Sequence, residues 1–211
     1  MHDRRIDGKP HTFGNEGILY MNAMTWYDHE TERIWTQPTG TALQGFYTGR
    51  RLEMVPAQVV PWGTWKAEHP ETLVLEVSGQ FGIEHDPFGN RLETYVLGVV
   101  VKDTAKAYRW EAASRLTVVN DRIGDLPVVV YADPESRSAH VFVRRIGSDE
   151  LEFGWRGGSM FGKGTESRWN PASGIAESGP LSGTRLREVP YSTAFDWAWR
   201  DFYPQSAFFG D

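Results

Sequence analysis

Along this chain the apolar residues fall in short runs, broken every few positions by Gly, Pro, Asn or Asp, the pattern of antiparallel strands joined by tight turns. Asp7-Gly8 and Gly14-Asn15 punctuate the start, with His11-Thr12-Phe13 between them and Ile18-Leu19-Tyr20-Met21 after, which predicts a small meander over residues 1–28. Asp28-His29-Glu30-Thr31-Glu32 reads as a polar turn leading into a strand around Ile34-Trp35. Gly40, Gly45 and Gly49 come too close together for helix and suit hairpins or bulges, with a further strand at Arg51–Val55. Pro61 opens a short helix, Trp62–Glu68, which His69-Pro70 closes. Thr72–Val77 is β-branched and apolar and predicts a buried strand, after which periodicity fails from Ser78 to Thr94. Strand character returns at Val96–Val101. Ala105–Arg115 reads as a strand end followed by a short helix, Pro127–Tyr131 as an apolar strand, and His140–Arg144 as the first arm of a hairpin. The chain closes on a helix, Thr193–Phe202, with Phe195, Trp199 and Phe202 in one apolar stripe.

A second regularity lies above these runs. T-E-R-I-W-T-Q-P-T-G-T-A-L-Q-G-F-Y-T-G-R-R-L-E-M-V-P (31–56) returns as T-E-S-R-W-N-P-A-S-G-I-A-E-S-G-P-L-S-G-T-R-L-R-E-V-P (165–190), with 11 of 26 positions identical at an offset of 134. Trp35, Gly40, Gly45, Gly49, Leu52 and Pro56 are matched by Trp169, Gly174, Gly179, Gly183, Leu186 and Pro190, and the offset continues through Trp65 to Trp199 and Pro70 to Pro204. Arg4-Arg5-Ile6 is answered by Arg144-Arg145-Ile146 at an offset of 140, so the later copy is six residues shorter before its tryptophan. This predicts an α+β fold of mostly antiparallel β, built from two pseudo-symmetric repeat units, each of β-hairpins plus one short helix. The first, incomplete unit spans 1–77, a connecting loop 78–94 and the second unit 95–211, the two packed as one compact domain. The first unit begins at its hairpin and lacks the leading strands that the second carries at 96–141.

Composition narrows the chemistry. A net charge of −6 with no long Lys or Arg run leaves no basic stripe for phosphates, so nucleic acid is not an expected partner. The absence of cysteine removes disulfides, thiolate nucleophiles and cysteine-held metals. The longest apolar run, Tyr95–Val101, falls far short of the ~20 residues of a bilayer-spanning helix, and Met1–Arg5 lacks the apolar core of a signal peptide. The expectation is a soluble chain with no membrane partner, whose compartment its sequence does not specify.

F-G-N-E-G-I-L-Y-M-N-A-M-T-W-Y-D-H-E-T-E-R-I-W-T-Q-P-T-G (13–40), W-K-A-E-H-P-E-T-L-V-L (65–75), V-V-N-D-R-I-G-D-L-P-V-V-V-Y (118–131) and L-S-G-T-R-L-R-E-V-P (181–190) resemble the bacterial and archaeal family known as domain of unknown function 3179. The resemblance covers nearly the whole chain and carries no assigned activity or cofactor. It implies that longer members hold, upstream of the segment starting at His2, a histidine before a Val-Asn-Asp motif and a paired-cysteine motif after it, so that this chain is N-terminally shortened. At the equivalent place in its own second unit the chain has Thr117 and then Tyr131-Ala132-Asp133-Pro134.

Three functional expectations follow. The first is a small-molecule binding module with an aromatic-lined cleft between the repeats, using polar residues present in one copy only: Tyr20, Asn22 and Gln37, with His85 and Asp86 from the loop. Tryptophans unmatched by the repeat (Trp26, Trp62, Trp110, Trp155, Trp197) belong to the same asymmetric set, whereas Trp35, Trp65, Trp169 and Trp199 recur and read as core. The second is a metal-assisted hydrolase, with Asp28, His29 and Glu30 as catalytic candidates and His85 and Asp86 as metal candidates. The third is a homo-oligomer formed through strand edges that the incomplete first repeat leaves open. No H-x-x-x-H pair, G-x-S-x-G elbow, phosphate loop or dinucleotide fingerprint is present.

Overall fold

The computed structural model describes residues 1–74 and 94–211. β1 (Arg5–Ile6) and β2 (Lys9–Pro10) form a ribbon about the Asp7-Gly8 turn, and β3 (Phe13–Tyr20), β4 (Ala23–Asp28) and β5 (Ile34–Thr36) form an antiparallel sheet in that order. Met21 and Asn22 join β3 to β4 with positive φ at both positions (51 and 59), the left-handed pair that a two-residue hairpin turn demands. A bulge interrupts the β3–β4 register between Asn15 and Leu19. α1 (Trp62–Glu68) follows Pro61, as its sequence predicts.

From Tyr95 the chain forms the hairpin β6 (Tyr95–Val101) and β7 (Thr104–Arg109), α2 (Trp110–Leu116), and the meander β8 (Val118–Ile123), β9 (Leu126–Ala132) and β10 (Ala139–Val143). A ribbon of β11 (Arg145–Ile146) and β12 (Asp149–Glu150) precedes a four-stranded antiparallel sheet, β13 (Phe153–Arg156), β14 (Ser159–Gly162), β15 (Arg168–Asn170) and β16 (Ile175–Ser178). β17 (Arg187–Glu188) pairs with β10, and β18 (Ser192–Phe195) adds to β6. α3 (Asp196–Phe202) then leads to β19 (Ala207–Phe209), which lies parallel to β7; every other named strand pairing is antiparallel. The described residues are thus β-rich, with three short α-helices.

The largest core sits between β6–β7 and β8–β10, where Val99, Val128, Val130 and Val141 meet Tyr108 and Ala113 of α2. β9 and β10 are buried along nearly their whole length, and valine suits a sheet covered on both faces. Two smaller cores resemble each other. Ile6, Phe13, Trp26, Trp35, Ala42, Tyr47 and Leu52 cluster in one, and the residues 140 positions after the first two and 134 after the rest (Ile146, Phe153, Met160, Trp169, Ala176, Leu181, Leu186) all cluster in the other. Backbone bonds recur at the same offsets: Asp28 N–H to Arg33 O and Gly162 N–H to Ser167 O, Ala42 N–H to Arg50 O and Ala176 N–H to Thr184 O, Leu52 N–H to Gly40 O and Leu186 N–H to Gly174 O.

Three expectations are corrected here. Residues 72–74 form no strand, since Thr72 turns back to bond His69 O and the Trp65 indole, and Leu73 and Val74 are exposed; 75–77 lie outside the described residues. Ser192–Phe195, predicted as the start of the closing helix from Thr193, is a strand, since Gly98 through Tyr95 present it with a ladder. Arg51–Val55 makes only isolated bridges, Arg51 to Thr41 and Met54 to His2. Except for Thr94, the loop 78–94 lies outside the described residues.

Candidate functional site

Two places gather the asymmetric residues. The first is a cleft of about 880 Å³ between the β3–β4–β5 sheet and the β18–α3 corner. The turn after β3 contributes Asn22, the residue after β5 contributes Gln37, and β4 contributes Trp26; Tyr95, Phe195, Trp197 and Phe202 face them. Gln37 is held at its backbone, where its N–H donates to Met24 O and its carbonyl accepts from His2 Nε2 at 3.0 Å. Burial pulls the His2 imidazole below its ordinary value, partly offset by that bond, so the ring is neutral near pH 7. Among the described lining residues there is no Asp, Glu, Lys or Arg. On the far side Phe195 and Trp197 stack at 6.0 Å with planes 12° apart, and half of Trp197 is open to solvent. Such a surface offers flat apolar faces rimmed by amides and hydroxyls, and its described lining side chains include no carboxylate, ammonium or guanidinium, although Met1, with its α-amino group, also lines it.

The structure brings Asn22 and Gln37 together here. Tyr20 stands beside them at the hairpin tip, its ring 6.3 Å from that of Phe202. His85 and Asp86 lie outside the described residues. Of the unmatched tryptophans, Trp26 and Trp197 line the cleft, whereas Trp110 is buried at the start of α2, Trp62 lies exposed on α1, and Trp155 packs on Tyr131.

The second place is built around Asp28 at the end of β4, whose side chain is fully buried. Its Oδ2 accepts the Trp35 indole N–H at 2.8 Å, its Oδ1 accepts the Thr31 N–H at 2.7 Å, and the Thr31 hydroxyl lies 2.7 Å from both oxygens. His11 Nδ1 stands 3.1 Å from Oδ1. Burial pushes the Asp28 carboxyl up, but donors from Thr31, Trp35 and His11 outweigh it and hold the group below its ordinary value. Glu30 approaches His11 Nδ1 to 3.6 Å while accepting the Thr12 N–H, which lowers its pKa too. His11, Asp28 and Glu30 thus present one imidazole and two carboxylates whose ligand atoms fall within 4.8 Å of one another. Such a set of donor atoms is one that can hold a cation.

His29, the histidine adjacent in sequence, is elsewhere: exposed, its ring rests on Tyr27 at 4.8 Å. His11 takes the place expected of it. At the corresponding positions of the second core stand Leu151, Gly162 and Gly164, and there the Trp169 indole N–H is buried with no hydrogen-bond partner.

The family described as Protein of unknown function (DUF3179) matches the chain twice, over residues 1–94 and 91–209. No curated protein matches the chain, and no solved structure does.

Proposed function

Since the chain belongs to the DUF3179 family, whose description assigns no activity, we propose from its geometry that it is a binding module of two copies of one unit, with a small, uncharged, aromatic-bearing molecule held in the cleft between them. The observation that carries this reading is the 880 Å³ cleft, whose described lining is aromatic and amide side chains with no Asp, Glu, Lys or Arg among them. Trp26, Phe195 and Trp197 supply the apolar contact area; Asn22 and Gln37 supply donors and acceptors that fix orientation. The repeat reading is supported by the two family matches and by cores that repeat position for position. Copies that agree in their packing and differ at Gln37 against Pro171 and Trp26 against Met160 make one asymmetric face.

Nile red, uncharged and aromatic, tests this. Its fluorescence should rise saturably at one probe per chain, and Trp197→Ala and Gln37→Ala, checked for folding by circular dichroism, should each weaken binding at least tenfold. Equal binding by both variants and the wild type would remove the cleft as a site.

A second reading has its own observation: the His11–Asp28–Glu30 set exists in one unit only, although the other folds without it. On that reading the set holds a divalent metal for hydrolysis, with His11 in the role expected of His29. Zinc should then raise the melting temperature of the wild type but not of His11→Ala, and no shift in either would dispose of it.

A further inference from the structure

α1 and α3 are built alike. In each, the fourth residue is a tryptophan whose indole N–H donates to a hydroxyl seven positions on, Trp65 to Thr72 at 2.9 Å and Trp199 to Ser206 at 2.8 Å. Each indole also lies against the ring four positions on, His69 at 4.1 Å and Tyr203 at 4.2 Å. The closing residues share a backbone conformation, φ −130 and ψ 67 at His69 against φ −134 and ψ 66 at Tyr203.

Their surroundings differ. Trp199 is buried over Gly98 of β6, where a Cβ would overlap its ring, beside Val96 and Ala107, and the chain after α3 returns as β19 alongside β7. α1 buries none of its residues; Trp62 is 50% exposed, and Leu73 and Val74, which correspond to Ala207 and Phe208 of β19, are 95% and 66% exposed. A seven-residue helix is marginal without a surface to lie on, and the residues after it, which belong to no ladder, leave backbone groups for pairing.

We propose that α1 and residues 72–74 form a docking surface for a β-hairpin of another protein chain, one that sets a glycine under Trp65 and runs a strand parallel to residues 72–74. The hairpin β6–β7, which fills the corresponding place under α3 and β19 in the same molecule, is the pattern for this occupant. A second copy of the chain does not supply it: β6 is already paired on both edges, by β7 and β18, and covered by α3. Residues 58–61 are not free to act as β18 does, since Val59 is bridged to Ala139 and its N–H donates to Tyr191 Oη, so the hairpin enters along the 72–74 side. Main-chain bonds along that edge would supply affinity, and the glycine would supply selectivity.

The probe is a fluorescein-labelled peptide of residues 95–109, titrated into the intact protein and followed by anisotropy. Saturable binding at one peptide per chain is expected, at least tenfold weaker for the peptide carrying Gly98→Val and at least tenfold weaker for protein carrying Trp65→Ala, with Trp197→Ala in the cleft leaving it unchanged. No saturable binding, or equal binding of the two peptides, overturns the proposal. So does a dimer seen by light scattering without peptide in which Trp62 and Trp65 are shielded from acrylamide, because a second copy would then be the occupant.

Discussion

Trp35 and Trp169 are both essentially fully buried, at matching places in two similar cores, and differ in what their indole N–H meets. Trp35 donates to the Asp28 carboxylate; Trp169 has no partner. A hydrogen bond to a charged group contributes about 1.5–3 kcal/mol, so Trp35→Phe should lower the urea-unfolding free energy by about 1–2 kcal/mol more than Trp169→Phe does. The Asp28 carboxyl titrates below its ordinary value of 3.8, and a depressed folded pKa means stability that is present above about pH 4 and lost as pH falls through the folded value. Asp28→Asn should therefore be less stable at pH 7 by about 1–3 kcal/mol and show a flatter decline in melting temperature between pH 5 and 3 than the wild type. The sequence makes Asp28 and Glu30 legible as a carboxylate pair and sets His29 next to them, whereas the folded chain sets His11 beside them. Neighbours in a turn need not point the same way, and His11 reaches Asp28 only because β3 and β4 pair Phe13 with Asp28; no local signal carries that long-range register.

The two tryptophan helices show how far a pattern determines an element. α1 is where Pro61 and His69-Pro70 place it, because proline acts locally. Thr193–Phe195 read as helix in the sequence but form a strand with Ser192, because they pair with a strand almost a hundred residues earlier, and tertiary pairing overrides propensity. Thr72 to Val74 read as the start of a buried strand because apolar periodicity reports what a segment could bury, and these three residues form no strand. The same contrast fixes the mutational costs. Trp199→Ala should cost about 3–5 kcal/mol, as large core truncations do, whereas Trp65→Ala in the isolated chain should cost under about 1 kcal/mol; thermal melts of the two variants decide this. Gly98→Val should destabilise by about 1–3 kcal/mol and reduce the near-ultraviolet circular dichroism, since Trp199 would have to leave its seat.

At the scale of the whole molecule, Tyr191 ties residues 57–60 to the later part of the chain. Its hydroxyl donates to Ala139 O at 2.6 Å and accepts the Val59 N–H at 3.1 Å, and burial pushes its pKa up to about 12. Tyr191→Phe leaves two backbone groups unpaired, a loss of about 1–3 kcal/mol, and should speed proteolysis within 57–60, read by mass spectrometry of the fragments. The β-rich, antiparallel character was legible from turn residues alone, and Asn22 and Gln37 from the disagreement between copies. The opposite wall of the cleft is only partly so: Trp197 stands out as unmatched, but Tyr95 joins that wall across more than a hundred residues of chain. Because no carboxylate, ammonium or guanidinium side chain among the described residues lines that space, Coulomb screening has little to act upon. Molar salt and ion-exchange columns should thus leave any natural occupant in place, and an organic extract of the freshly purified protein is where that occupant should be found.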